Sequence, residues 1–143
     1  LALWRTGSVE DASDVVQDVF VRVVEQGLRL AAVRDPKAWL LTVTHRAAVD
    51  VTRRRTRRRS APLEDCPLLT TAAVDSDRAI DAARASRMLA ALPAGQRDAI
   101  YLRHFAGCSF AEIGAIVGVP KFTAASRYRN GIGRLRKLME GSS

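Results

Sequence analysis

Apolar residues recur along this chain at three- and four-residue intervals, and no stretch keeps a period of two for long, so the pattern reads as helical throughout. Ser8, three residues before Asp11, signals a capping box that opens a helix running to about Gln26, where Gly27 stops it. On a helical wheel Val16, Val19, Phe20 and Val23 gather on one side, expected to face the core. Asp11, Asp14, Asp18 and Glu25 gather on the other. Asp35-Pro36 pairs an N-cap with proline at the first helical position. The helix it opens carries Trp39, Leu40, Val43, Ala47 and Val51 as its apolar stripe and runs into a cluster of arginines. Residues 60–76 hold two prolines, several Ser and Thr and no sustained stripe, and read as a linker. Beyond it, helices are expected over about Asp77–Ala91, stopped by Pro93, and Gly95–Phe105, ended by Gly107. Ser109 and Glu112 form a second capping box for a short helix closed by Gly118. Val119-Pro120 make a turn, and Lys121 to about Met139 form the last helix. The expected fold class is therefore all-α. It has two small helical domains, 1–59 and 77–143, joined by a linker at 60–76.

A short capped helix, a turn of about three residues and a longer helix with a basic outer face make the helix-turn-helix pattern. Ala124, Tyr128, Ile132 and Leu135 are expected to pack on Phe110, Ile113, Ile116 and Val117. That leaves Thr123, Ser126, Arg127, Asn130, Arg134 and Lys137 outward. Such a face donates to phosphates and, near the helix N-terminus, to base edges in the major groove. An ordinary amphipathic helix with a solvated face has the same spacing.

Charge sharpens the picture. The 143 residues carry a net charge of +8, and it is unevenly spread. The first fifty residues are net −1, while 51–59 hold six arginines and no acid. Residues 60–92 are net −2 and 93–143 net +5. Two basic zones separated by an acidic stretch suit two contacts with a polyanion such as nucleic acid, although a solvated basic surface has the same arithmetic. Arginines at 53–59, presented on a continuing helix, would follow a phosphate backbone, although such clusters also occur as solvated arms. By composition alone the acidic stripe is a solubilising face.

Apolar residues make up 48 %, enough for globular cores. No apolar run approaches the roughly 18 residues of a membrane span, and Arg5 interrupts the only candidate for a signal-peptide core. Cys66 and Cys108 stand far apart, which suggests no disulfide scaffold and a reduced, cytoplasmic setting. His45 and His104 are isolated, and no HExxH, GxSxG or P-loop spacing occurs. No catalytic cluster, metal site or cofactor is expected.

Three blocks, DASDVVQDVFVRV (11–23), AWLLTVTHRAAVDVTRRR (38–55) and ALPAGQRDAIYLRHFAGCSFAEIGAIVGVPKFTAASRYRNGIGRLRKLM (91–139), resemble extracytoplasmic-function (ECF) bacterial sigma factors, in that family's order. The resemblance implies that the first domain is region 2, which docks on the clamp of core RNA polymerase and melts the −10 element. The second is implied to be region 4, which reads the −35 element and contacts the flap. By match to the family's DxxDxVQxxF pattern, Asp14, Gln17, Asp18, Phe20 and Arg22 would bind polymerase. The segment from Trp39 and Val43 through Arg46, Arg53, Arg54 and Arg55 would face −10 DNA, and Leu28–Asp35 matches a base-capturing loop. Lys121, Thr123, Ser126, Arg127, Arg129, Asn130 and Arg134 would lie on the recognition helix. The resemblance further implies an anti-sigma partner, no enzymatic activity of its own, and a first region-2 helix missing ahead of Leu1. The chain departs from the family at Arg46, often Asn; at Leu30, often aromatic; at Phe122, usually Gly; and at Ala125, frequently basic. A stand-alone operator-binding regulator would account for 93–143 but leave Asp11–Arg59 without a purpose. A nucleic-acid-modifying enzyme lacks any catalytic cluster.

Overall fold

Local signals place most helix ends. The computed structural model describes residues 1–58 and 76–141, so the expected linker at 60–76 lies outside the described residues except for Ser76, as does Cys66. The described helices are α1 (Ala2–Thr6), α2 (Val9–Gln26), α3 (Pro36–Arg58), α4 (Ser76–Ala90), α5 (Ala94–His104), α6 (Phe110–Val117) and α7 (Lys121–Glu140). A 3-10 turn, Gly27–Ala32, joins α2 to α3. Among the described residues no helix is long and apolar enough to cross a membrane.

The caps explain the boundaries. Asp35 Oδ1 accepts the Ala38 N–H at 3.1 Å to start α3. The box at α6 is complete: the Glu112 N–H donates to Ser109 Oγ at 3.1 Å and the Ser109 N–H to Glu112 Oε1 at 3.0 Å. Those bonds from Ser109 hold the Glu112 carboxyl below the ordinary glutamate range. At α2 only half a box forms. The Asp11 N–H reaches Ser8 Oγ at 3.3 Å, but the Asp11 carboxylate turns instead to Arg55 Nη1 at 3.2 Å. Helix α1 was not anticipated, because five residues are too few to display a helical period.

Packing corrects the expected faces. The core between α1, α2 and α3 is Ala2, Ala12, Val15, Val19, Val43, Ala47 and Ala48, with Val23, Trp39 and Val51 partly buried against it. Val16 and Phe20 point outward, 58 % and 67 % exposed, and Leu40 is also exposed. The buried face of α2 is Ala12, Val15 and Val19, against Val43, Ala47 and Ala48 of α3, rather than the face that carries Val16 and Phe20. In the second half, Ala124 does pack on Ile113 and Ile116. Tyr128, Ile132 and Leu135 instead meet Leu89, Leu92, Ile100 and Trp4, and only Tyr128 also touches Phe110.

The two halves also pack on each other. Trp4 from α1 enters the α4–α5–α7 cluster, with ring centroids 5.2 Å from both Tyr101 and Phe105. Beside it, Asp98 Oδ2 accepts from Arg5 Nη1 at 2.8 Å and faces His45 Nε2 at 3.1 Å, and Arg97 Nη1 donates to the Trp4 carbonyl at 3.2 Å. The Lys37 ammonium donates to the Ala106 carbonyl further along the same boundary.

The turn between α6 and α7 depends on two glycines. Gly118 adopts φ 78°, the left-handed conformation that suits glycine. Gly114 lets the turn fold back onto α6: a Cβ there would sit 2.6 Å from the Val119 carbonyl oxygen. Backbone cannot swing aside as a side chain can, so Gly114→Ala is expected to destabilise the fold by about 2 kcal/mol through overpacking, read as a lowered denaturation midpoint. An unchanged midpoint would show that the turn yields.

Candidate polymerase and nucleic-acid interfaces

Burying Ala12, Val15 and Val19, with Asp11 and Val23 partly covered, leaves most of α2 facing solvent. All five residues expected to meet polymerase, Asp14, Gln17, Asp18, Phe20 and Arg22, are exposed. Asp18 and Arg22 form an ion pair at 3.4 Å across one helical turn, with both side chains about half exposed. Such a pair contributes only a few tenths of a kcal/mol, leaving both groups available to a partner. The face is not purely acidic. Phe20, Val16, Val21 and Val24 add apolar surface, and this mixture of charge with an exposed aromatic is the composition of an interface core with its polar rim. Asp14, Asp18 and Arg22 also line a cleft of about 610 Å³ between α2 and α3, opposite Asp50, Arg54 and Arg55.

The arginines at the end of α3 do not share one surface. Arg46 and Arg53 are exposed and line a groove against Ala115, Val117 and Gly118 of the helix-turn-helix. Arg54 faces the α2–α3 cleft. Arg55 is partly buried in its pair with Asp11, so its charge is already matched within the protein, contrary to the expected row of DNA-facing arginines. A helix turns by more than a quarter circle at each residue, so consecutive arginines diverge. Arg59 and the side chain of Arg58 lie outside the described residues.

On α7, Lys121, Ser126, Arg129, Asn130 and Arg134 are exposed, whereas Thr123 and Arg127 are partly buried. Arg127 lies over the start of α5, close enough that a Cβ on Gly95 would meet Nη1 at 3.1 Å. The outward face is thus turned away from Thr123 and Arg127 and toward Phe122, Arg129 and Arg136. Gly131 fixes that orientation: it is buried, and its Cα passes so near Ile100 that a Cβ would sit 2.9 Å from Cδ1. The loop expected to capture a base opens with the 3-10 turn and presents Leu28, 94 % exposed, while Leu30 is half-buried.

His45, read from sequence as isolated, proves to be buried against Asp98 at the junction of the halves. The grouping of Arg5, His45 and Asp98 does not follow from the sequence pattern. The available signal was a polar pair, Arg97-Asp98, interrupting an apolar stripe in which Ala99, Ile100 and Leu102 are all buried. His104 accepts or donates at 2.8 Å to the Tyr128 hydroxyl on the surface. Burial raises the Cys108 thiol above its ordinary range, which leaves it an unreactive core residue.

Comparison with known proteins agrees with this layout. Residues 1–58 match the family described as Sigma-70 region 2, and residues 82–135 match Sigma-70, region 4. The chain is 30 % identical to the ferric citrate uptake sigma factor FecI of Escherichia coli, over 83 % of this chain and 72 % of that one. It is 29 % identical to the ECF RNA polymerase sigma factor SigC of Mycobacterium tuberculosis, over 87 % and 70 %. Its fold is similar to that of the sigma factor RpoE solved in complex with the anti-sigma factor NepR from Bartonella quintana. There the TM-score is 0.75 at 24 % identity, covering 97 % of this chain and 87 % of that one.

Proposed function

Because the chain belongs to the ECF sigma factors, which bind core RNA polymerase and direct promoter-specific initiation without being enzymes themselves, we propose how its surfaces divide that work. The outer face of α2, with Asp14, Gln17, Asp18, Phe20 and Arg22, docks on the polymerase clamp. Arg46, Arg53 and Arg54 on α3 attend the −10 region, and the outward face of α7 reads the −35 element. The domain boundaries follow the same division, 1–59 and 77–143. The observation that supports this best is the separation of two exposed faces, one acidic and apolar on α2, the other basic on α7. The cytoplasm, where polymerase works, is the site of action. An anti-sigma factor that covers these faces holds the protein inactive, a reading supported by the similarity of fold to a sigma factor solved with one.

The test is reconstitution with core polymerase, reading whether transcripts start at a defined promoter. The free protein is expected to bind DNA weakly. About four phosphate contacts from α7 imply a loss of affinity of roughly 100-fold between 50 and 200 mM salt. Nanomolar, sequence-specific binding by the free chain at physiological salt would instead identify an operator-binding regulator.

A further inference from the structure

Phe122 is the second residue of α7 and 82 % exposed, joining none of the hydrophobic clusters and no aromatic pair among the described residues. It shares an outward ridge with Ser126 and Arg129, at spacings of four and three, opposite the buried Ala124 and Gly131. Around that ridge α7 exposes Lys121, Arg129, Arg134, Arg136 and Lys137, with Glu140 as its only acid. A helix so charged suits the duplex, and a recognition helix enters the major groove by its N-terminal residues. The residue at that tip is a phenyl ring.

A phenyl ring has no hydrogen-bond donor or strong acceptor, so it cannot read guanine, cytosine or adenine edges. The one apolar feature of the major groove is the thymine C5-methyl group. We propose that Phe122 is a specificity-determining residue that packs on a thymine methyl in the −35 element. The inference rests on α7 reading that element. It assigns this chain an apolar base reader where the family usually has glycine. Chemically it selects T over C at one base pair, because the two pyrimidines differ there in both the methyl and the hydrogen-bonding group, and only the methyl concerns Phe122.

The experiment uses the full chain with core polymerase. Templates with a randomised upstream element are selected by transcription. In the winning template each thymine of that element is then replaced, one at a time, by deoxyuridine, which pairs identically but lacks the methyl. One replacement is expected to lower initiation by about fourfold, the worth of one buried methyl. Phe122→Ala should lose that sensitivity, and Phe122→Leu should retain most of it. If wild type is indifferent to every replacement, or Phe122→Ala keeps the same sensitivity, the assignment to Phe122 is overturned. Arg129→Ala and Asn130→Ala report separately on the premise. They should weaken use of the selected element by about tenfold or more, as lost phosphate or base contacts do. If neither does, α7 does not read the element at all. Because all three side chains are exposed, a thermal melt should stay unchanged, and the comparison is one of function.

Discussion

Asp98→Ala is expected to lower the thermal midpoint by roughly 10 °C. Asp98 is 2 % exposed, and its Oδ2 takes both Arg5 Nη1 at 2.8 Å and His45 Nε2 at 3.1 Å. Removing it leaves a guanidinium with only slight access to water and a buried imidazole facing a void. Breaking a buried pair costs about 3–5 kcal/mol, and the lower end applies here because Asp98 Oδ1 has no hydrogen-bond partner among the described residues. Arg5→Ala and the double variant complete the cycle. The losses should fall short of additive, since the second removal meets an interaction already gone. A midpoint shift under 2 °C would mean the halves do not rest together in solution.

The same substitution should raise, not lower, promoter output at limiting protein. Elements named −10 and −35 lie about 25 base pairs apart, roughly 85 Å along B-form DNA. A packed chain of 143 residues has a radius of gyration of about 15 Å. One closed body cannot touch both, so under the proposed assignment of one element to each half the Arg5–Asp98 and His45–Asp98 contacts open when both elements are engaged. Whatever stabilises the closed form reduces the competent fraction and weakens apparent affinity in proportion. Lower stability together with higher output is therefore the expected pairing. A fall in output that tracks the fall in midpoint would show the contact belongs to the working conformation.

What the sequence made legible and what it did not divide along physical lines. Helix ends were readable because they are local: Ser109 with Glu112, Asp35 with Pro36, and Gly118 each act within one turn. Faces were less so. A wheel weighs apolarity and favours Val16 and Phe20 as inward positions, whereas the face that α2 buries is Ala12, Val15 and Val19. The contact between the halves was invisible because Arg5, His45 and Asp98 are separated by as many as 93 residues, and no local pattern links them. On α7 the basic residues were readable, but not their direction, which close packing at Gly131 and Gly95 sets. Phe122 stands out in the sequence as a departure from the family, and its exposure makes it a candidate reader.

Asp18→Lys is expected to abolish association with core polymerase, weakening it at least 100-fold, while the midpoint moves by no more than about 2 °C. The fold should tolerate the change because Asp18 is half exposed and its ion-pair partner, Arg22 at 3.4 Å, is exposed too. The like-charge contact created at that spacing costs a few tenths of a kcal/mol, and Asp14 on the same helix and Asp50 across the adjoining cleft offset it. At a complementary interface the same change removes one attraction and installs one repulsion, which amounts to several kcal/mol. Phe20→Ala separates the docking reading from a purely electrostatic one. As a core residue Phe20 would cost 3–5 kcal/mol of stability on truncation. With 67 % of its surface exposed it should leave the melt nearly unchanged and still weaken polymerase binding, as an aromatic anchor does. Asp77→Lys, on the exposed side of α4, is the control that changes net charge equally and should bind as wild type. If Asp18→Lys melts normally and is still retained by core polymerase, the outer face of α2 is not the docking surface.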